Sequence, residues 1–154
     1  MLSHLSKHSK IDVTVKAKGD LEVDAHHTTE DIGIALGQCL QKALAEKKGI
    51  ARYGHSSVPM EDALANVAVD LSGRSSCAYN VDFRTQKIGD FDVDCIQEFI
   101  RSFANNGQLN LHVNVPYGTN SHHIAEAVFK ALGQALGQAV KITGKNIPST
   151  KGKL

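Results

Sequence analysis

The residues best suited to chemistry in this sequence form a doubled motif, a histidine pair followed three residues later by a glutamate (HHxxE). Its members are His26, His27, Glu30, His122, His123 and Glu126. On a helix, the first histidine and the glutamate of each copy share one face, whereas adjacent histidines point about 100° apart. One pair therefore cannot easily grip a single ion from one side. Two copies indicate two metal ions, each with ligands from more than one segment.

A third source of imidazole is His112. It alternates with Leu111 and Val113 in a strand pattern, so we expect it on the face opposite the core. Imidazoles and carboxylates without thiolates favour Mn²⁺, Fe²⁺, Ni²⁺ or Zn²⁺ over a structural cysteine site. Polar capping of a helix end is the alternative for one HHxxE motif, but two copies in register favour metal binding. His4 and His55 have the spacing of ordinary exposed histidines. For His8, spacing alone does not distinguish an exposed histidine from a site residue.

Several cations and hydroxyls have the chemistry of a phosphate site. They are Arg52 after the first long helix, Arg74 after a strand, and Ser149 and Lys151 near the C-terminus. Gathered at one place, they would bind a phosphate through charge-assisted hydrogen bonds. The alternative for each alone is a solvated surface group. For Lys130, four residues after Glu126, the alternative is a helix-surface ion pair.

An internal repeat organises the elements that position these residues. Residues 26–43 align with residues 122–139, and nine of the eighteen positions are identical, so the chain contains two copies of one unit. Apolar residues at i, i+3 and i+4 predict an amphipathic helix in each segment. Glycines on these helices, namely Gly33, Gly37, Gly133 and Gly137, predict close helix–helix approach.

The remaining elements follow the same duplication. Alternating apolar residues predict strands at 11–17 and 109–115, and an apolar stripe over 93–103 predicts a helix matched by residues 1–8. Two further strands are predicted at 68–73 and 77–83. We divide the chain into a first repeat over 1–49 and a second over 50–154, packed as one compact domain. By repeat symmetry the first copy is about 47 residues shorter at its front, so we expect a fragment that lacks two strands of its first half.

Composition disfavours nucleic-acid-binding, membrane-spanning and secreted proteins. The formal net charge of +1 and the eight aromatic residues disfavour a nucleic-acid-binding surface. No apolar stretch is long enough to span a membrane, and no secretory signal is visible. The three cysteines, Cys39, Cys77 and Cys95, lack metal-site spacing and predict reduced, mostly buried thiols in an intracellular protein.

Taken together, these motifs resemble the imidazoleglycerol-phosphate dehydratase family, the hydro-lyases of histidine biosynthesis. The resemblance rests on VDAHHTTEDIGIALGQ, GIARYG, VPMEDALANVAVDLSGR, LNLHV, GTNSHHIAEAVFKAL and IPSTKG, which run across nearly the whole chain. It implies an α+β fold of duplicated β-β-α-β-β-α units, ribosomal protein S5 domain 2-like, with helices packed between two sheets. It also implies trimers that assemble into a twenty-four-subunit shell with active sites between subunits, in the cytoplasm or, for a plant protein, the plastid.

The resemblance also implies residue roles. A dimanganese site would stabilise the imidazolate form of the substrate, with ligands His26, His27, Glu30, His112, His122, His123 and Glu126, some acting from a neighbouring subunit. Glu30, Glu126 and Lys130 become catalytic candidates. Substrate contacts would come from His8, Arg52, Arg74, Ser149 and Lys151.

One departure from the family stands at the front of the chain. Family members carry a Phe-Asp-His motif before the Met-Leu that opens this sequence, and its histidine is a metal ligand. An upstream glutamate of the family is absent as well. We expect these absences to affect activity and assembly. Two other functions therefore stay open, a dinuclear metallohydrolase of phosphate esters and a non-catalytic metal-binding shell component.

Overall fold

The computed structural model describes residues 1–154 and has the predicted α+β class. The helices are α1 (Leu2–Ser9), α2 (His26–Leu44), α3 (Asp94–Asn106) and α4 (Ser121–Ala139). The strands are β1 (Tyr53–Met60), β2 (Ala63–Asp70), β3 (Ser76–Asn80), β4 (Lys87–Ile88), β5 (Phe91–Asp92) and β6 (Asn110–Tyr117). All four predicted helices are confirmed.

One four-stranded sheet has the order β1-β2-β6-β3, and β4 and β5 form a separate ribbon. The pairs β1–β2 and β2–β6 are antiparallel, while β3 runs parallel to β6. Strand β1 was not predicted, because its buried positions include the small residues Gly54 and Ser56. A side chain at Gly54 would collide with the carbonyl of Ala135 on α4. Close packing of β1 on α4 thus removes the apolar alternation by which strands are recognised.

The four helices form two layers on one face of the sheet. Helix α4 packs on β1 and β2, and α3 contacts β3. On the other side of this layer, α1 packs on α4 and α2 packs on α3. The core therefore lies mostly in the second repeat, where α4 has twelve buried residues against two in α2.

Residues 11–17 do not form the predicted strand. They lie between α1 and α2 without regular secondary structure, and residues 12–19 make no backbone–backbone hydrogen bond. The prediction is wrong because a β-strand needs a neighbouring strand to pair with, and β6 has two such neighbours whereas this segment has none. Ile11 and Val13 instead border an apolar groove that also exposes part of Leu36 and Leu40 on α2.

Two expectations from composition can be compared with the structure. None of the helices combines the length and apolar content needed to cross a bilayer. The cysteines are all free, but Cys39 is exposed, Cys77 is half-buried and only Cys95 is buried. The expectation of mostly buried thiols is wrong for Cys39, because that side of α2 has no layer packed on it.

Glycines set the helix crossings, as predicted. A Cβ at Gly37 would lie 2.7 Å from the Phe103 carbonyl oxygen on α3. On the equivalent helix, a Cβ at Gly133 would lie 2.8 Å from the Leu5 carbonyl oxygen on α1. Real Cβ atoms do not approach backbone this closely, so both crossings require glycine.

We predict that Gly37→Ala destabilises the fold. Alanine favours a helix by about 1 kcal/mol over glycine, but overpacking against α3 backbone costs about 1–3 kcal/mol, leaving a net loss of up to about 2 kcal/mol. Urea denaturation followed by circular dichroism measures the difference. Gly144→Ala is the control, because a Cβ at Gly144 meets nothing within 4 Å. Equal stability of the two variants would contradict the role assigned to the crossing.

Candidate metal and phosphate site

Both histidine pairs stand at helix starts. Asn120 caps α4, and its side-chain oxygen accepts hydrogen bonds from the backbone N–H groups of His122 (2.8 Å) and His123 (3.3 Å). At the start of α2, the Asp24 carboxylate accepts from the His26 N–H at 2.7 Å. Such capping satisfies N–H groups that a helix leaves without partners. Two such bonds hold the first turn of α4, and one holds the first turn of α2.

Within each pair the two imidazole rings diverge. The rings of His26 and His27 are at 89° with centroids 6.1 Å apart, and those of His122 and His123 are at 79° and 6.5 Å. This agrees with the divergence expected on a helix. The two rings of one pair therefore point in different directions.

The second histidine of each pair is bonded to an aspartate. The Nδ1 atom of His27 lies 2.8 Å from the Asp20 carboxylate, and Nδ1 of His123 lies 2.5 Å from Asp62. The hydrogen bond that His27 makes to Asp20 raises the pKa of His27, and the pKa of Asp20 is lowered in return. Hydrogen bonds from Thr119 and from His123 hold the pKa of Asp62 far below its usual range. Both carboxylates are thus stabilised as anions.

Glu126 is the centre of a charged cluster. Its carboxylate accepts a hydrogen bond from Lys130 Nζ at 2.6 Å and lies 3.4 Å from His122 Nε2. The bond from Lys130 lowers the pKa of Glu126, and the side chain is only 13% exposed. Lys130 also contacts the sulfur of Met60 at 3.4 Å. The ion pair considered for Lys130 is therefore present, and it holds the glutamate ionised beside an imidazole.

Sequence reasoning missed His4. Its Nε2 lies 3.7 Å from Glu126, on the carboxylate oxygen that Lys130 also contacts, and its ring stacks on His8 with centroids 6.4 Å apart. Spacing along the sequence offered one signal, because His4 and His8 are i and i+4 neighbours on α1. The sequence does not show that α1 packs on α4, and this packing brings the His4 ring beside Glu126.

The other candidate ligands stand apart from this cluster. Glu30 makes no ion pair or side-chain hydrogen bond, and His112 is exposed on the outer face of the sheet, as predicted. Within one chain, no three histidine, cysteine, aspartate or glutamate side chains are grouped closely enough to hold a metal ion. One copy of the chain therefore does not bring the predicted ligands together.

The segment that carries two of the predicted phosphate contacts lies against Arg52. Arg52 donates to Asp70 through Nε (2.7 Å) and Nη2 (3.2 Å) and to the Pro148 carbonyl through Nη1 (2.9 Å). It therefore anchors the segment that carries Ser149 and Lys151. A Cβ at Gly73 would lie 2.9 Å from the carboxyl carbon of Leu154, so the end of this segment also reaches the residue beside Arg74. Arg74 and Lys151 are exposed, and Ser149 is half-buried.

Lys47 is a further cation at this place that sequence reasoning missed. It is 6% exposed, and burial lowers its pKa. Its Nζ would lie 3.3 Å from a Cβ at Gly73, next to Arg74. A buried lysine is rare without a compensating group, and the composition around Lys47 gave no signal of its burial.

The family model described as imidazoleglycerol-phosphate dehydratase matches residues 1–136. Imidazoleglycerol-phosphate dehydratase of Bacillus licheniformis is 54% identical over 156 residues, which is 100% of this chain and 80% of the relative. The same enzyme of Bacillus subtilis is 53% identical over the same shares.

Solved structures give the same similarity. The crystal structure of imidazoleglycerol-phosphate dehydratase from Staphylococcus aureus has a TM-score of 0.87 at 40% identity and covers 92% of this chain and 81% of that one. That of the Pyrococcus furiosus protein, in complex with (S)-C348, has a TM-score of 0.88 at 37% identity, with 99% and 83% covered.

We predict that Lys130→Met raises the pKa of Glu126 in the metal-free protein toward its ordinary value of 4.5, because the main cause of its depression is removed. The depressed pKa means that the ion pair stabilises the fold above about pH 4.5 and that this contribution is lost as pH falls through the lower value. Carboxyl-carbon NMR titration measures the shift. Lys145→Met, on an exposed segment without an ion pair, should leave it unchanged; an unshifted Glu126 in Lys130→Met would contradict this account.

Proposed function

Because the chain belongs to the imidazoleglycerol-phosphate dehydratase family of hydro-lyases, we propose that it converts imidazole glycerol phosphate to imidazole acetol phosphate in histidine biosynthesis, using two Mn²⁺ ions. The observation that carries the metal part of the proposal is the doubled helix start. In each copy, one imidazole has its Nδ1 bonded to an aspartate, which leaves Nε2 available.

The donor set fits a divalent first-row metal. The residues that would hold the ions are His26, His27, Glu30, His112, His122, His123 and Glu126. They offer imidazole nitrogens and carboxylate oxygens without a thiolate, which suits Mn²⁺ better than a soft metal. The negative charge of Glu126, held by Lys130, supports cation binding beside His122.

The chemistry that bound manganese supplies is to make the imidazole N–H of the substrate more acidic, as metals do for bound water. The reaction removes a hydroxyl and the proton on the neighbouring carbon together as water, and the resulting enol becomes the ketone. A positioned base must accept that proton, and a carboxylate can serve. Glu126, half-buried beside Lys130, and Glu30, free of internal partners, are the two carboxylate candidates.

Orientation comes from the phosphate end of the substrate. Arg52, Arg74, Ser149 and Lys151 would bind the phosphate by charge-assisted hydrogen bonds. Arg52 supports this role indirectly, since it holds the Pro148 carbonyl beside Ser149. Lys47 adds a buried positive charge behind the same place. His8, stacked on His4 near Glu126, would contact the substrate between the two ends.

The complete site requires more than one chain. The ligands are not gathered within a single copy, so we propose that neighbouring subunits contribute to each site, in trimers that assemble into a twenty-four-subunit shell. Light scattering of the purified chain measures this assembly. The three free cysteines agree with a reducing compartment, and we propose the cytoplasm, or a plastid for a plant protein.

The decisive assay gives the purified chain imidazole glycerol phosphate with Mn²⁺ and identifies the product. We expect a ketone that retains its phosphate and a loss of turnover when chelator removes the metal. Release of inorganic phosphate, from this substrate or from generic phosphoesters, would instead indicate a metallohydrolase. Metal binding without turnover would indicate a non-catalytic component.

We predict that His123→Ala or His27→Ala lowers the manganese bound per subunit. Loss of a ligand should exceed the roughly 10–100-fold cost in affinity of losing a residue behind a ligand. Metal analysis of the purified proteins measures the stoichiometry. His55→Ala serves as control, because His55 is an exposed histidine outside the proposed set. Unchanged stoichiometry in both ligand variants would refute the site assignment.

A further inference from the structure

In both copies of the repeat the second histidine contacts an aspartate, but the two aspartates come from different parts of the fold. In the first copy, the partner of His27 is Asp20, seven residues upstream in the same connection. In the second copy, the partner of His123 is Asp62, sixty-one residues upstream in the turn between β1 and β2. The segment equivalent to Asp20 in the second copy, residues 116–118, contains Pro116, Tyr117 and Gly118 and no carboxylate. Duplication alone therefore does not explain why both histidines have an aspartate.

The contact has a definite chemical consequence. A neutral imidazole carries one proton, and an anionic acceptor at Nδ1 keeps the proton on that nitrogen. Nε2 then presents a lone pair, which is what a metal ligand requires. The first histidine of each pair differs, since neither His26 nor His122 has a side-chain acceptor at Nδ1. The aspartates thus single out one imidazole in each pair.

The two aspartates differ in how many groups hold them. Asp62 also accepts hydrogen bonds from Thr119 Oγ1 at 2.6 Å and from the N–H groups of Thr119 and Asn120 at 2.5 and 2.9 Å. These bonds tie it to the loop that leads into α4. Asp20 has only His27 as a side-chain partner. Any effect of replacing Asp20 therefore reports on the imidazole rather than on a loop.

We infer that Asp20 and Asp62 are positioning residues, each of which fixes its histidine in the tautomer whose Nε2 binds a divalent cation. This role rests on the proposed metal site. It assigns to the two aspartates a function that neither their exposure nor their position in the chain indicates. Each acts through its histidine and is not itself a ligand.

The test uses the full chain and the variants Asp20→Asn and Asp62→Asn, with Asp20→Glu as the conservative replacement. Asp24→Asn is the matched control, because it removes one charge at the same helix start but contacts the backbone of His26 and not an imidazole. Nitrogen-15 NMR of the metal-free proteins reports the histidine tautomers. Titration with Mn²⁺ alone, followed by electron paramagnetic resonance, reports affinity.

We expect His27 and His123 in the Nδ1–H form in the unsubstituted protein, and a shift toward the other tautomer in each asparagine variant. Manganese affinity should fall about 10–100-fold, with recovery in Asp20→Glu and no change in Asp24→Asn. Asp62→Asn also disturbs the bonds to Thr119 and Asn120. If that variant does not fold, the result for Asp20→Asn decides the question.

Two outcomes would overturn the inference in distinguishable ways. Normal manganese binding in the unsubstituted protein with equal affinity in Asp20→Asn removes the positioning role and leaves the proposed function intact. No manganese binding in the unsubstituted protein removes the metal site, and with it this role, even where the tautomers are as expected. An Nε2–H tautomer of both histidines in the unsubstituted protein also refutes it.

Discussion

The two helix crossings are the constraint on which the rest of the structure depends. At Gly37 and at Gly133, the backbone of one helix lies so close to its partner that no side chain fits between them. A close-packed crossing leaves little freedom for sliding or rotation. The direction of α2 and α4, and therefore the positions of their histidine-bearing first turns, are set by these contacts. In each repeat, the same helix therefore carries both the glycine of the crossing and the HHxxE motif at its start.

The two equivalent helices differ in how much of their surface is covered. Helix α4 is enclosed between the sheet and α1, and its equivalent α2 is covered by α3 on one side only. Leu132 and Leu136 are consequently fully buried, whereas Leu36 and Leu40 remain partly exposed beside residues 11–17. The charged cluster around Glu126 lies on the enclosed helix. Glu30, on the more open helix, has no such partners.

Three carboxylates near the candidate site each have a defined cation or hydrogen-bond donor as partner, whereas Glu30 has none. Glu126 has Lys130, Asp62 has the loop N–H groups and His123, and Asp70 has Arg52. These pairs hold the proposed metal ligands and the proposed phosphate-binding segment in place without any bound group. In general, side chains that are already held in place lower the free-energy cost of binding a charged ligand.

The sequence by itself determined the helices, the duplication and the residue types of the site, because helical periodicity and repetition are local properties that survive without knowledge of packing. It failed for residues 11–17, whose alternation is typical of a strand but whose state depends on neighbours, and for β1, whose small buried residues conceal a strand. Only the tertiary structure decided that His4 faces Glu126, that Lys47 is buried and that Asp62 holds His123. These contacts join residues far apart in the chain, so their existence depends on how the layers pack and not on spacing along the sequence.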